Sequence, residues 1–89
     1  MNPKNIFKYQ LQRGGQTFQM PSGAQILSAQ FQRGELCLWA LVDERAKLEM
    51  RSFVVLGTGQ PTTLNLRHIS TVQSDDQSFV WHIFETAGA

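Results

Sequence analysis

The hydrophobic and polar positions along the chain follow the pattern of short β-strands. Residues 36–42 are seven consecutive apolar side chains, bounded by Glu35 on one side and by Asp43 and Glu44 on the other. Successive side chains of a strand point to opposite sides, so an unbroken apolar run of this length predicts a strand that is buried on both faces. A run this short is less typical of a helix than of a strand. The pattern therefore places a core strand here.

The segment before this run alternates with period two, which predicts that Leu27, Ala29 and Phe31 share one face of a neighbouring strand. Only Arg33 and Gly34 separate this alternating strand from Glu35 and the apolar run. A glycine in so short a connection suits the positive φ of a tight hairpin turn. The two segments are predicted to form a β-hairpin at the centre of the fold.

Similar strand signals recur along the chain, separated by turns that are rich in glycine, proline and aspartate. The predicted strands comprise residues 5–11, 16–20, 25–32, 36–42, 51–56, 67–73 and 79–84. In the sixth strand, alternation predicts that His68 shares a face with Ser70 and Val72. Seven strands with closely spaced turn signals predict an all-β fold, an antiparallel β-sandwich or small barrel.

Length and composition bound the class of protein. The 89 residues make a single domain, predicted to span residues 5–85 with frayed termini at 1–4 and 86–89. The chain is 42% hydrophobic and contains six Phe, two Trp and one Tyr, which is enough for one core. It shows no basic and apolar leader and no apolar run of about 18 residues. These features predict a cytoplasmic protein with no membrane contact.

The charges are unevenly distributed. The net charge is +1, with +4 on residues 1–33 and −3 on residues 34–89. Four cations spread over 33 residues do not form the dense basic face that neutralises several phosphates. The charge pattern therefore argues against nucleic acid as the ligand.

Five segments carry a recognisable order of motifs, namely residues 6–11, 20–27, 36–43, 57–59 and 79–85. Taken in order, they resemble a family of small uncharacterised proteins encoded by bacteriophages, prophages and bacteria. The resemblance extends from Ile6 to Glu85 and implies the context of a mobile-element accessory protein in the bacterial cytoplasm. It implies no catalytic or ligand-binding residue. Members of this family often carry histidine where this chain has Gln60, so the resemblance implies no required catalytic or metal-binding side chain there.

The glycine-rich loop that contains Gly57, Thr58 and Gly59 is a candidate site for a phosphate or carboxylate. Successive backbone N–H groups of such a loop can converge on an anion, and Arg51 or Arg67 would add positive charge. The loop lacks the lysine and the following helix of a P-loop. The competing interpretation is an ordinary turn, in which the glycines permit unusual φ values and the following proline ends the strand.

Other groups with potential chemistry are better explained as structural. His68 and His82 belong to no ligand pair with the spacing of a metal site. Cys37 is the single cysteine, and its neighbours Leu36 and Leu38 give it the setting of an inert core side chain. We therefore predict no metal, no cofactor and no catalytic residue, and a protein that is not an enzyme.

Glutamines are concentrated in the first part of the chain, where seven of the ten lie between Gln10 and Gln32. A neutral polar sheet face suits partner binding or self-pairing as well as plain solvation. The leading hypothesis is a non-enzymatic phage- or prophage-type accessory protein that binds a host or phage macromolecule through an unidentified protein partner. The predicted strand at residues 79–84 is apolar on both sides, as residues 36–42 are, and two such strands also suggest a homodimer. The alternative is a small-ligand or nucleotide binder, such as a sponge for a defence signal, that uses residues 57–61.

Overall fold

The computed structural model describes residues 3–62 and 65–86, and it confirms the all-β prediction. Seven strands and no helix occur in this part of the chain. The strands are β1 (Asn5–Gln10), β2 (Gly14–Pro21), β3 (Gln25–Gln32), β4 (Glu35–Val42), β5 (Leu48–Gly57), β6 (Leu66–Gln73) and β7 (Val80–Thr86). A helix that could span a membrane is accordingly not found among the described residues.

The strands form two antiparallel sheets that pack face to face. One sheet has three strands in the order β1-β4-β3, and the other has four in the order β2-β5-β7-β6. Strands β3 and β6 contact each other at one side of the sandwich. The core between the sheets consists of Leu11, Met20, Ala24, Ala29, Leu36, Leu38, Ala40, Val42, Phe53, Val55 and Ile83. The architecture is therefore a sandwich.

Strand β1 shows how alternation places residues in this sandwich. Phe7 and Tyr9 pack against the core, whereas Ile6 points away from it and is 61% exposed. The Tyr9 ring lies 5.3 Å from the Phe18 ring of β2, measured between centroids. Tyr9 and Phe18 therefore join the edge strands of the two sheets by an aromatic contact.

The central hairpin has the turn that the sequence predicts. Arg33 and Gly34 connect β3 to β4 with φ values of 53° and 80°. Two consecutive positive φ values are the requirement of a type I′ turn, whose twist matches that of the flanking strands. The hairpin brings β4 to the middle of the three-stranded sheet, between β1 and β3.

The outer face of β4 is less covered than the apolar run predicts. Cys37 points away from the core and is only 1% exposed, but Trp39 and Leu41 on the same side are half-buried. The prediction that both faces are fully buried is wrong for these two residues. Among the described residues, no third layer of structure covers this side of the sheet.

A bulge in β3 changes which apolar residues reach the core. The pairing with β4 shifts between Ile26 and Ser28, so Leu27 has no direct partner. Ile26 packs against the core, Leu27 is 44% exposed, and alternation resumes with Ala29 inward. The prediction that Leu27 shares the face of Ala29 is wrong, because one extra residue reverses the alternation on one side of a bulge.

A second bulge has the same effect in β6. The pairing with β7 shifts between His68 and Ser70. His68 lies opposite Phe84 on the outer face, while Val72 and the unpaired Ile69 pack against the core. The prediction that His68 shares a face with Val72 is therefore wrong for the same physical reason.

Strands β2 and β5 are longer than the patterns predict. The fifth strand is predicted to begin at residue 51, yet Leu48 and Glu49 already pair with Pro21 and Met20. Cross-strand pairing thus overrides the low strand propensity of a charged segment. With these additional residues, β5 is ten residues long and runs from one end of the sandwich to the other.

Candidate functional site

The predicted anion site divides between the two ends of the fold. Arg51 and Gly57 lie six residues apart on β5, which corresponds to about 20 Å along an extended strand. Arg67 lies opposite Glu85 on β7, whereas Gly57 lies opposite Trp81. The structure brings the two arginines together but leaves the glycine-rich loop at the other end. An anion-binding role for that loop stays a prediction.

Both arginines bind one carboxylate on β7. The Nε and Nη2 atoms of Arg51 donate to Glu85 at 2.6 and 2.7 Å, and Nη1 donates to the carbonyl oxygen of Ala24 at 2.5 Å. The Nη2 atom of Arg67 donates to Glu85 at 2.6 Å. The Arg51 and Glu85 side chains are 14% and 9% exposed, whereas that of Arg67 is 70% exposed. Arg51 thus links β5 to β7 and to the start of β3, which is a structural role.

This cluster makes stability depend on pH. The hydrogen bond from Arg51 holds the pKa of Glu85 below its ordinary value, and the same bond raises the pKa of Arg51. A carboxyl group whose pKa is lowered by folding adds stability above its unfolded pKa, and this stability is lost as the pH falls through the folded pKa. We expect the wild-type free energy of unfolding to fall more steeply than that of Glu85→Gln between about pH 6 and pH 3. Urea denaturation of both proteins across this range measures the difference, and parallel profiles would contradict the expectation.

The glycine-rich loop is a tight turn held by its own side chain. The Gln60 N–H donates to the Gly57 carbonyl at 3.1 Å, and the positive φ of Gly59, 87°, is what the third position of a type II turn requires. The Oε1 atom of Gln60 accepts from the Gly57 N–H at 3.0 Å. A Cβ on Gly57 would lie 3.4 Å from the ring of Trp81. The hydrogen bonds and the φ of Gly59 support the turn interpretation, and the 3.4 Å separation is an ordinary van der Waals contact that does not require glycine at position 57.

The cationic side chain beside this loop is one that the sequence did not single out. Arg13 lies just before β2, and its guanidinium lies 5.3 Å from the centroid of the Trp81 ring. Arg13, Gly57 and Thr58 line the same surface cleft. Neither the spacing nor the charge pattern identified Arg13, because its partner Trp81 is distant in the sequence.

The two histidines belong to a hydrogen-bonded chain on the outer face of the four-stranded sheet. The Nε2 atom of His82 lies 2.8 Å from Thr58 Oγ1, and its Nδ1 atom lies 3.1 Å from Thr71 Oγ1. The Nε2 atom of His68 lies 2.8 Å from the same Thr71 oxygen. No group of three or more metal-ligating side chains forms among the described residues. The threonine hydroxyl groups thus satisfy these ring nitrogens.

The outer face of the three-stranded sheet combines apolar and neutral polar side chains. We call this surface the Trp39 face, and it consists of Ile6, Lys8, Gln10, Gln25, Ser28, Gln30, Gln32, Glu35, Cys37, Trp39 and Leu41. Trp39 and Leu41 lie on the middle strand, with Ile6 directly opposite Leu41 on β1. Lys8 and Glu35 are its charged members, one of each sign. Gln19, another residue of the glutamine-rich segment, lies in the four-stranded sheet instead.

A side-chain hydrogen bond across this face covers the cysteine. Lys8 on β1 lies opposite Trp39, and Gln32 on β3 lies opposite Glu35. The bond from Lys8 Nζ to Gln32 Oε1, 2.9 Å long, therefore crosses β4 diagonally at the level of Cys37. This cover accounts for the 1% exposure of an outward-pointing thiol.

Cys37 is accordingly expected to react slowly with a thiol reagent in the native protein and quickly in denaturant. Lys8→Ala removes the cover and should raise the native rate several-fold. Lys4→Ala, a matched change at an exposed lysine outside the strands, should leave the rate unchanged. Absorbance assays with a disulfide reagent measure all three rates. Equal rates for the two variants would show that the Lys8 bond does not shield the sulfur.

Comparison with known proteins supplies a family but no activity. A family model for a domain of unknown function matches residues 2–89. No curated protein and no solved structure matches the chain. Any functional assignment therefore rests on the geometry of this molecule.

Proposed function

The chain belongs to the family described as Domain of unknown function (DUF7352), and from its geometry we propose that it is a non-enzymatic binding protein that docks a protein partner on the Trp39 face. The resemblance of its segments to phage and prophage proteins supports an accessory role in the bacterial cytoplasm. The observation that carries the proposal is a partly exposed apolar strip on the outer side of the three-stranded sheet, formed by Ile6, Trp39 and Leu41.

The apolar side chains near the middle of the two outer faces differ in how well they are covered. Val54 and Leu56 point outward from the middle of β5 and are only 5% and 8% exposed, although Met50 near the start of the same strand is 64% exposed. On the Trp39 face, Ile6 is 61% exposed, and Trp39 and Leu41 are half-buried. A large aromatic side chain with exposed aliphatic neighbours is typical of the centre of a protein interface.

The rim of the Trp39 face indicates the chemistry of the partner. Gln10, Gln30 and Gln32 surround the apolar strip with neutral donors and acceptors, and Lys8 and Glu35 add one charge of each sign. A polar rim around an apolar centre fits a protein surface, whereas a nucleic acid would require a dense cluster of cations. A second copy of this chain is one such partner, which would make the protein a homodimer.

The proposal is tested by a pair of matched substitutions on the two outer faces. Ile6 is 61% exposed on the Trp39 face, and Met50 is 64% exposed on the four-stranded sheet, so either side chain can become lysine without burying a charge. Two assays measure binding: capture of a specific partner from bacterial lysate, and dimerisation followed by sedimentation. We expect Ile6→Lys to abolish the binding that wild type shows in these assays, and Met50→Lys to preserve that binding. Equal retention by both variants would overturn the proposal, and so would loss only with Met50→Lys.

A further inference from the structure

Strand β1 forms one edge of the three-stranded sheet and pairs with β4 alone. The Leu11 N–H donates to the Leu36 carbonyl at 2.8 Å, so the register of β1 on β4 continues into a hydrogen-bonded pair. Hydrogen-bonded and non-hydrogen-bonded pairs alternate along antiparallel strands. The backbone groups of Ile6, Lys8 and Gln10 therefore point away from β4. Each of these residues presents one donor and one acceptor along an open edge.

The other edges of the two sheets are better protected. Strands β3 and β6 contact each other at one side of the sandwich, which leaves β1 and β2 as the edges of the opposite side. The Ser22 N–H donates to the Lys47 carbonyl at 2.7 Å, so the same alternation directs the backbone of Thr17 and Pro21 away from β5. Proline has no N–H, and its presence on an edge discourages an added strand. Strand β1 lacks this protection.

A glutamine side chain marks where the open edge of β1 ends. The Oε1 atom of Gln16 accepts from the Gln12 N–H at 2.7 Å, and its Nε2 atom donates to the Gln12 carbonyl at 2.8 Å. A side-chain amide offers the same donor and acceptor as a peptide group, so Gln16 binds Gln12 as a neighbouring strand would. Among the described residues, no group binds the outward backbone of Ile6, Lys8 or Gln10 in this way. The open edge therefore extends over residues 6–10.

The charges beside this edge are predominantly positive. Residues 3–21, which form both open edges, carry three cations and no carboxylate side chain. Glu44 is hydrogen-bonded to Asn5 at the start of β1. Glu35 lies on β4, which β1 separates from the open edge. Lys8 is thus the charge at the centre of the edge.

Lys8 indicates which kind of strand the edge accepts. Its bond to Gln32 uses one donor of an ammonium group that has others. Like charges on neighbouring strands destabilise the pair, and opposite charges stabilise it. A second copy of β1 would bring cationic strands together, whereas an acidic strand would complement the lysine. Charge therefore favours an acidic segment over a second copy of this chain.

We propose that a partner protein adds an extended acidic segment to β1, as a fourth strand of the three-stranded sheet. The backbone of the segment pairs with Ile6, Lys8 and Gln10, and an acidic side chain lies beside Lys8. Alternate side chains of the segment pack beside Phe7 on the inner side. The inference rests on the proposed function, because the side chains of this edge belong to the Trp39 face, and it specifies how the partner binds there.

The test is a titration of the isotope-labelled full chain with the peptide acetyl-Thr-Val-Glu-Val-Thr-amide, followed by NMR. In the free protein, the amides of Phe7 and Tyr9 should exchange slowly because they are bonded to β4. The peptide should slow exchange at Ile6, Lys8 and Gln10, with a dissociation constant below about 1 mM. The same peptide with lysine in place of glutamate should bind at least about tenfold more weakly, or about 1.4 kcal/mol. No saturable change up to about 10 mM, or equal binding of both peptides, would overturn the proposal.

Matched variants assign the binding to the backbone of β1. Gln10→Pro removes an N–H that points away from β4, so the fold should persist and peptide binding should weaken at least about tenfold. Gln10→Ala keeps this N–H and should retain the wild-type affinity. Thr17→Pro makes the equivalent change on the edge of β2 and should also retain it. Equal losses for Gln10→Pro and either control would overturn the proposal.

The same variants separate strand addition from docking on the Trp39 face. In the partner-capture assay, Gln10→Pro should lose the partner that Gln10→Ala and Thr17→Pro retain. Loss with Ile6→Lys but not with Gln10→Pro would overturn the added strand and leave the proposed function standing. Dimerisation in sedimentation that Gln10→Pro abolishes would make a second copy the occupant and would overturn the acidic segment.

Discussion

Phe53→Ala is expected to lower the free energy of unfolding by about 3 to 5 kcal/mol. Phe53 is among the largest fully buried side chains of the described residues and has 0% exposure between the two sheets. Its ring lies 6.0 Å from that of Phe18, so truncation removes an aromatic contact and leaves a cavity. The total free energy of unfolding of a small domain is about 5 to 15 kcal/mol, so the expected loss is a large fraction of it. Urea denaturation followed by circular dichroism measures the loss.

Phe79→Ala is the matched control for that substitution. Phe79 is 58% exposed and stacks on Trp81 at the end of the sandwich. The same chemical change should cost less than about 1 kcal/mol there, because little apolar area leaves the core. Similar losses for Phe53→Ala and Phe79→Ala would show that the core is not where the described packing places it.

Glu85→Ala is expected to destabilise the protein by about 3 to 5 kcal/mol. After this substitution, the largely buried guanidinium of Arg51 keeps one hydrogen-bond acceptor among the described residues, the carbonyl oxygen of Ala24. An unpaired buried charge is more costly than the pair it replaces, because its desolvation is no longer offset. Chemical denaturation near pH 7 gives the measurement.

Arg67→Ala separates the buried pair from the exposed one. Arg67 binds the same carboxylate, but its side chain is 70% exposed. An exposed ion pair contributes about 0 to 1 kcal/mol, so this variant should remain close to wild type. A loss as large as that of Glu85→Ala would show that Arg67, and not Arg51, carries the stabilisation of the cluster.

Much of the fold is predictable from residue patterns alone. Alternation and apolar runs locate all seven strands, and the glycine in the Arg33-Gly34 connection predicts the central hairpin. These features are local, since side-chain period and turn chemistry depend on residues close together in the chain. Sheet order is not local, and the pairing of β1 with β4 or of β2 with β5 left no signal in the sequence.

Two bulges explain why the predicted sides of Leu27 in β3 and of His68 in β6 are wrong. An extra residue at Leu27 and another at Ile69 reverse the alternation, so Ile26 reaches the core and His68 turns outward. No glycine or proline marks either position. The bulges depend on how each strand fits its partner, which the pattern of one strand does not contain.

The candidate site was predictable only in part. Arg51 and Arg67 do come together, but around Glu85, which no sequence pattern linked to them. Arg13 became a candidate only when β7 placed Trp81 beneath it. Side chains that meet through strand pairing are distant in sequence, so their chemistry appears only once the sheet order is known.

The central claim, that the Trp39 face holds a protein partner, is tested most directly by photo-crosslinking in bacterial cells. A benzophenone amino acid replaces Ile6 on the Trp39 face or Met50 on the opposite outer face, two sites with 61% and 64% exposure. The account predicts a discrete crosslinked adduct from position 6 and none from position 50, with mass spectrometry identifying the partner. Adducts from position 50 alone, or the same adducts from both positions, would contradict it.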